Sequence, residues 1–163
     1  MNYSFRIVDL TLLKDEDLWG KLLKLNEGDD WEAIHCFRFI KDYPNNFCCA
    51  RLVVAYLGME PVAWCGCFYY DESSPDFDNL KLAEYAELHS CNQNIQCYTH
   101  PMFRRRGLQR AMLPILAGIA EQFDELQEFG YDDGWAMSRQ ESCQNTFKYF
   151  TKNPLTAAKK VLV

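Results

Sequence analysis

The spacing of apolar residues at the start of the chain changes from a period of two to that of a helix. From Tyr3 to Asp9 the chain alternates around a few apolar residues, which predicts a short first strand. Thr11 followed by Asp15 is typical of a helix start. The leucines that indicate this first helix are Leu12, Leu13, Leu18, Leu22 and Leu23.

A second helix and a β-hairpin are predicted next. Between Asp29 and Phe47 apolar residues recur at helical spacing until Pro44, which predicts a helix followed by a loop. Two segments rich in Val, Tyr, Phe and Cys then flank a short turn, which is typical of a hairpin. The two strands are Arg51 to Leu57 and Pro61 to Tyr70, and the turn is Gly58, Met59 and Glu60.

The second half of the chain predicts a loop, a strand and a long helix. Ile95 to Thr99 reads as a strand that ends before a proline, and Leu108 to Phe129 has the clearest helical periodicity in the chain. The resulting order of strands and helices predicts an α+β fold in a single domain over residues 1–163. The remaining predictions are a loop from Asp71 to Asn79, a segment of no assigned type up to Cys91, a strand from Trp135 to Met137 and a helix from Ser142 to Lys152.

Composition and charge exclude several classes of protein. A chain of 163 residues that is 48% hydrophobic is long enough to bury one core. The net charge of −6 disfavours broad binding to nucleic acid, where Lys and Arg clusters supply most of the affinity. Ala111 to Ala120 is too short an apolar run to span a bilayer. Because Met1 to Leu10 lack the apolar core of a signal peptide, we expect a cytoplasmic protein that does not associate with membranes.

The eight cysteines predict neither disulfides nor a metal site. A cytoplasmic location keeps thiols reduced. No two cysteines have the two-residue gap that lets a pair of thiolates reach one zinc ion. Cys65 and Cys67 alternate along a predicted strand, so we expect them to pack as small hydrophobic residues on one of its faces.

A basic turn between the predicted strand and the long helix is the strongest candidate for chemistry. Residues 95–113 read IQCYTHPMFRRRGLQRAML. A helix start presents backbone N–H groups and a positive dipole end, which favours a pyrophosphate. Gly107 would allow close approach of the backbone, and the neighbouring arginines could neutralise the phosphates.

This segment resembles the acetyl-coenzyme A-binding motif of the GNAT superfamily of N-acetyltransferases. In that motif a strand precedes an Arg/Gln-x-x-Gly-x-Gly/Ala turn and a helix, and here Arg104, Gly107 and Gln109 occupy the three key positions. The resemblance extends over roughly Arg51 to Leu155 and implies a mixed central sheet flanked by helices, with a shortened C-terminal end. The implied cofactor-binding residues are Cys97, Tyr98 and Thr99, through their backbone, and Arg104, Arg105, Arg106, Gly107, Leu108, Gln109 and Arg110.

The resemblance identifies the catalytic residues less completely than the cofactor-binding ones. Some members of the family carry a glutamate base six positions before the residue that matches Thr99, where this chain has Gln93. Family members often have a tyrosine general acid in the last helix; that position matches Phe150, which leaves the adjacent Tyr149 as the candidate acid. His100 before a proline is frequent in the family without a chemical duty, so a structural role is favoured over that of a base.

Three hypotheses about function follow. The first is transfer of an acetyl group from acetyl-coenzyme A to a primary amine of a small molecule, a peptide or a protein. The second is a GNAT-like protein that has lost catalysis and acts as a binding or inhibitory module, completed by a partner or a second copy of the chain. The third, a nucleic-acid contact through the arginines of the turn, is disfavoured by the acidic charge balance.

Overall fold

The described part of the chain forms a four-stranded antiparallel sheet with helices on both faces. The computed structural model describes residues 1–26, 31–70 and 94–120. The strands lie in the order β1, β2, β3, β4, and each is antiparallel to its neighbour. The described elements are β1 (Tyr3–Asp9), α1 (Glu16–Asn26), α2 (Trp31–Asp42), β2 (Phe47–Leu57), β3 (Glu60–Tyr70), β4 (Asn94–Thr99) and α3 (Leu108–Ala120), with single 3₁₀ turns at Pro44–Asn46 and Pro101–Phe103.

The first helix begins later than the sequence pattern predicts. Thr11 does not cap it, because its hydroxyl donates to the Asp9 carboxylate at 2.6 Å. Asp15 is the capping residue: its carboxylate accepts from the N–H groups of Asp17 at 3.0 Å and Leu18 at 3.2 Å. A carboxylate satisfies helix-start N–H groups and complements the positive end of the dipole, so α1 starts at Glu16.

The predicted hairpin is confirmed as β2 and β3. Gly58 has φ of 63°, the left-handed conformation that a tight hairpin turn requires and that glycine adopts without a steric penalty. The turn is shorter than predicted, since Glu60 already pairs with Leu57 as the first residue of β3. The predicted strand at Tyr3 to Asp9 is also confirmed, and β1 pairs with β2 along its whole length.

One face of the sheet carries α1 and α2. Trp64 and Phe68 of β3 and Phe37 of α2 form an aromatic cluster in which ring centroids lie 4.9 to 6.2 Å apart. The buried Trp64 indole N–H donates to the Asn26 side-chain oxygen at 2.9 Å, and the Asn26 amide donates to the Leu22 carbonyl at 3.0 Å. This buried polar pair is therefore satisfied on both sides, as a low-dielectric interior requires.

The other face carries α3. Its buried residues include Leu108, Met112, Leu113 and Leu116, which pack against Val53, Ala55, Ala63, Cys65 and Cys67 of the sheet. Cys65 and Cys67 lie on the same face of β3, as their alternation predicts. Because Leu108 is both the first residue of α3 and part of this core, the packing fixes the start of the helix relative to β4.

The later predictions fall on residues that the structure does not describe. The described sheet is entirely antiparallel, and the predicted strand from Trp135 to Met137 lies outside the described residues, so the mixed sheet stays a prediction. Within the described ranges no helix combines the length and the hydrophobicity that crossing a membrane requires. Also outside are the loop from Asp71 to Asn79, the segment up to Cys91, the part of the long helix beyond Ala120 and the helix from Ser142 to Lys152.

Candidate functional site

The candidate site is the turn that joins β4 to α3, and His100 shapes its first half. The His100 N–H donates to the Val62 carbonyl at 2.9 Å, which continues the β3–β4 ladder by one residue. The His100 Nδ1 accepts from the Met102 N–H at 3.2 Å, and the His100 carbonyl accepts from the Phe103 N–H at 2.8 Å. His100 therefore caps the 3₁₀ turn that follows, which agrees with the predicted structural role.

Arg104 braces the turn against the strand. Its Nε donates to the Thr99 carbonyl at 2.9 Å, and its guanidinium carbon lies 6.0 Å from the centre of the Tyr98 ring. Thr99 is buried, so this charge-assisted bond reaches into the structure at the end of β4. The sequence pattern assigned Arg104 to the cofactor alone and did not reveal this bond, since it depends on how the chain folds back over the strand.

Two residues of the turn adopt the left-handed conformation. Arg105 has φ of 62° and Gly107 has φ of 74°. A positive φ is uncommon outside glycine and marks backbone held by its surroundings. A Cβ built on Gly107 meets no described atom within 4 Å, so the backbone of this residue faces open space.

The helix start lies directly beside that open space. The Gly107 carbonyl accepts from the Ala111 N–H at 3.0 Å, the first i to i+4 bond of α3. The N–H groups of a first helical turn have no carbonyl partner within the helix, and they carry the positive end of its dipole. An approachable glycine at such a position is a geometry that suits a phosphate group.

The other arginines of the turn differ in their surroundings. Arg105 and Arg110 are exposed, and neither guanidinium makes a hydrogen bond, an ion pair or a ring contact with the part of the chain that the structure describes. The Arg106 guanidinium instead lies 3.1 Å from the Met1 sulfur and donates to the Met102 carbonyl at 3.5 Å, with its carbon 5.7 Å from the Phe103 ring centre. Arg105 and Arg110 are thus the cations best placed to meet a ligand.

Gln109 lies between the helix start and the strand end. Its side-chain Nε2 approaches the Thr99 hydroxyl at 3.5 Å, and the residue is half-buried. A glycine or alanine at this position would leave that volume empty. The side chain therefore occupies space beside the end of β4.

One edge of β4 faces away from β3. In an antiparallel pair the hydrogen-bonded positions alternate, and His100 bonds to Val62, so Tyr98 turns its backbone groups towards β3. The backbone groups of Cys97 and Thr99 face the opposite edge, and the Arg104 bond to the Thr99 carbonyl agrees with this direction. Within the described sheet β4 is the terminal strand, so no described strand covers that edge.

The predicted cofactor residues come together, whereas the catalytic ones lie elsewhere in the chain. Residues 97 to 99 and 104 to 110 form one continuous strand, turn and helix start. The described residues do not include Gln93, Tyr149 or Phe150. The assignment of Tyr149 as general acid therefore stays a prediction. No group of three or more Cys, His, Asp or Glu side chains within the described ranges is arranged to hold a metal ion.

Comparisons of this chain with protein-family models, with curated proteins and with solved structures found no match. The observations that bear on function are the geometry of the turn and its position between an edge strand and a buried helix. A helix start beside a glycine that no described atom crowds is a geometry that can accept an anionic group.

Proposed function

We propose that the chain binds acetyl-coenzyme A at the β4–α3 turn and is an N-acetyltransferase of the GNAT type. The acceptor is a primary amine of a small molecule, a peptide or a protein, and the site of action is the cytoplasm. The observation that carries the proposal is Gly107, whose left-handed backbone faces open space at the start of a helix packed into the core.

The proposed binding mode divides the cofactor between two elements. The pyrophosphate lies against the first-turn N–H groups of α3, with the side chains of Arg105 and Arg110 adding positive charge. The pantetheine arm would lie along the edge of β4 that carries the Thr99 N–H and the backbone of Cys97, because Arg104 already donates to the Thr99 carbonyl. Arg104 holds turn and strand together through the Thr99 carbonyl, so its effect on binding is one of positioning.

The chemistry follows from the thioester. A neutral amine nitrogen attacks the acetyl carbonyl carbon, the new C–N bond forms, and the C–S bond breaks as its electrons move to sulfur. The amine proton must leave to a base, and the coenzyme A thiolate takes a proton from an acid. Tyr149 is the proposed acid, and a water relay or a carboxylate is required as the base because Gln93 cannot accept a proton.

Calorimetric titration of the full chain with acetyl-coenzyme A tests the binding step. We expect Arg105→Gln and Arg110→Gln each to weaken affinity about tenfold, since a hydrogen bond to a charged group contributes about 1.5–3 kcal/mol. Arg38→Gln is the matched control, because Arg38 is an exposed arginine on α2, across the sheet from the turn. No heat at millimolar ligand, or equal losses in all three variants, would exclude this binding mode.

Turnover is tested by incubating the protein with acetyl-coenzyme A and a panel of amines. Free coenzyme A is measured by chromatography, because reagents that detect thiols would also react with the cysteines of the protein. We expect amine-dependent release of coenzyme A that falls in Tyr149→Phe and is unchanged in Tyr43→Phe. Tyr43 is partly exposed and packs on Phe39, in the helical layer on the opposite face of the sheet from α3.

A second candidate function is a binding module that holds the cofactor without turning it over. The specific observation in its favour is Gln109, whose side chain occupies the space beside the strand end where the family motif has a glycine or alanine. Binding of acetyl-coenzyme A without amine-dependent release would favour this module. In Gln109→Ala the affinity would then rise, while the release of coenzyme A would stay at background.

A further inference from the structure

Four cysteines from three adjacent strands lie on the face of the sheet beneath α3. Cys49 comes from β2, Cys65 and Cys67 from β3, and Cys97 from β4. Cys65 and Cys97 are register partners, and Cys49 lies two positions along β2 from the partner of Cys67. The first three thiols are buried and Cys97 is half-buried.

Cys49 and Cys67 are in direct contact. Their sulfur atoms lie 3.6 Å apart, and the Cys49 sulfur also lies 3.9 Å from the Cys67 carbonyl oxygen. The Cys67 thiol can donate to the Cys49 sulfur while the Cys49 thiol donates to that carbonyl. The two sulfurs are therefore already adjacent, and a disulfide of about 2.05 Å requires them to approach by about 1.5 Å.

The surroundings of the pair are asymmetric. The Cys67 thiol, as a donor to the Cys49 sulfur, and the nearby Arg51 guanidinium lower the pKa of Cys49. The same contact and burial raise the pKa of Cys67 well above its ordinary value. Arg51 is held in place by Asp9, whose carboxylate lies 3.5 Å from its Nε and partly offsets its charge.

We propose that Cys49 and Cys67 form a redox-active pair that closes to a disulfide on exposure to peroxide. We expect Cys49 to react first, because the Cys67 thiol as donor to its sulfur favours the Cys49 thiolate, and Cys67 to be the resolving thiol because its sulfur lies 3.6 Å away. A nearby Arg favours the thiolate, which is the nucleophilic form of cysteine. The pair is a modification site in its own right and does not depend on acetyl-coenzyme A binding.

The step balances with one peroxide per disulfide. The Cys49 thiolate attacks one peroxide oxygen, the O–O bond breaks and a sulfenic acid forms, while the departing hydroxide takes the proton that Cys49 lost on ionising and becomes water. The Cys67 sulfur then attacks the Cys49 sulfur, the S–S bond forms, the S–O bond breaks, and the leaving hydroxide takes the Cys67 proton. Two thiols and one hydrogen peroxide give one disulfide and two waters.

The disulfide would act on the packing beneath α3. Both cysteines belong to the buried cluster that also contains Leu108 and Met112 of that helix. Closing the bond would bring β2 and β3 together at that point and would move side chains in a close-packed layer. We therefore expect oxidation to change how the first turn of α3 packs on the sheet.

The test treats the reduced full chain with hydrogen peroxide, blocks the remaining thiols by alkylation and maps disulfides by mass spectrometry without reduction. Trypsin places Cys49 in a peptide of residues 42–51 and Cys67 in one of residues 52–81, together with Cys48 and Cys65 respectively. We expect these two peptides to be joined within one chain, with fragment ions on either side of Gly66 assigning the bond to Cys67 and cleavage between Cys48 and Cys49 assigning it to Cys49.

Serine variants separate the pair from its neighbours. Cys49→Ser and Cys67→Ser should each abolish the joined peptides, whereas Cys48→Ser and Cys65→Ser should retain at least half of the cross-link. Cys65→Ser is the matched control, since Cys65 is equally buried on the same face of the same strand. If a variant fails to fold, the fragment ions from the unmodified chain still assign the bond.

Three outcomes would overturn the proposal. One is a cross-link between Cys65 and Cys97, which are directly opposite in the register. Another is a cross-link found only between two chains. The third is a chain in which Cys97 is fully oxidised while the peptides containing Cys49 and Cys67 remain alkylated.

Discussion

Gly66 is the position where the packing of the sheet predicts the clearest effect of a single methyl group. It lies in the middle of β3 and faces the α1/α2 layer. A Cβ built on it would lie 2.5 Å from a Leu52 methyl carbon and 2.7 Å from the tip of the Phe68 ring. Phe68 has little room to move, because its ring packs against those of Trp64 and Phe37. We therefore expect Gly66→Ala to destabilise the protein.

The magnitude follows from overpacking a buried layer. Ordinary contact begins at 3.4 Å, so both neighbours would have to shift by most of an ångström. Leu52 and Phe68 are fully buried, and overpacking of such sites costs about 1–3 kcal/mol. With a urea dependence of about 2 kcal/mol per molar, the unfolding midpoint should fall by about 1 M.

The matched control is the same substitution at Gly20. This glycine lies on the exposed side of α1, and a Cβ there meets no described atom within 4 Å. Gly20→Ala should raise the midpoint, because alanine favours a helix over glycine by about 1 kcal/mol. Urea unfolding followed by tryptophan fluorescence measures both variants.

A double variant tests the cause. In the Gly66→Ala background, Leu52→Ala removes the clashing methyl. The loss of unfolding free energy caused by Leu52→Ala should therefore be smaller in that background than in the unmodified protein, by at least about 1 kcal/mol. Additive costs would refute the steric explanation. An unchanged midpoint in Gly66→Ala would refute the tight packing of this face altogether.

Three further predictions concern single side chains. Asn26→Ala leaves the buried Trp64 indole N–H without its acceptor, so the free energy of unfolding should fall by about 2–3 kcal/mol; a urea midpoint within error of the unmodified chain would contradict this. Asp15→Ala removes the cap of α1 and should cost about 1 kcal/mol in the same assay, whereas Asp15→Asn should retain most of the stability. Burial raises the pKa of Tyr56, so the folded state keeps this proton to a higher pH than the unfolded chain, and stability should fall as pH rises above about 10. Tyr56→Phe should reduce that alkaline loss in thermal unfolding between pH 9 and 11, and an identical slope in both proteins would contradict the prediction.

The elements of the fold were predictable where the signal is local. The period of two in β1 and the turn residues between β2 and β3 specify strands directly, and α3 begins at the predicted Leu108. The start of α1 was not predictable from the sequence, because Thr11 and Asp15 both suit a helix cap. Only the hydrogen bond from Thr11 to Asp9 distinguishes them. Side-chain competition of this kind depends on the three-dimensional path of the chain.

The candidate site was predictable in outline and its internal contacts were not. A strand, a glycine and a periodic helix in succession predict the turn around Gly107. The bonds of Arg104 and Gln109 to Thr99 depend on the angle between β4 and α3, which tertiary packing sets. The contact between Cys49 and Cys67 likewise depends on strand register, which the sequence of one chain specifies only through the buried pattern of both strands.

The unequal distances in sequence between paired strands have a consequence for the order of folding. β2 and β3 are joined by a two-residue turn, whereas about forty residues that contain α1 and α2 separate β1 from β2 in sequence. The longer connection corresponds to roughly four doublings of loop length, and each doubling adds about 0.6 kcal/mol to the entropic cost of closing the loop. The hairpin should therefore form in the transition state and β1 should dock after it. Shortening the side chain in Val8→Ala of β1 would then mainly accelerate unfolding, whereas Val54→Ala in β2 would mainly slow folding.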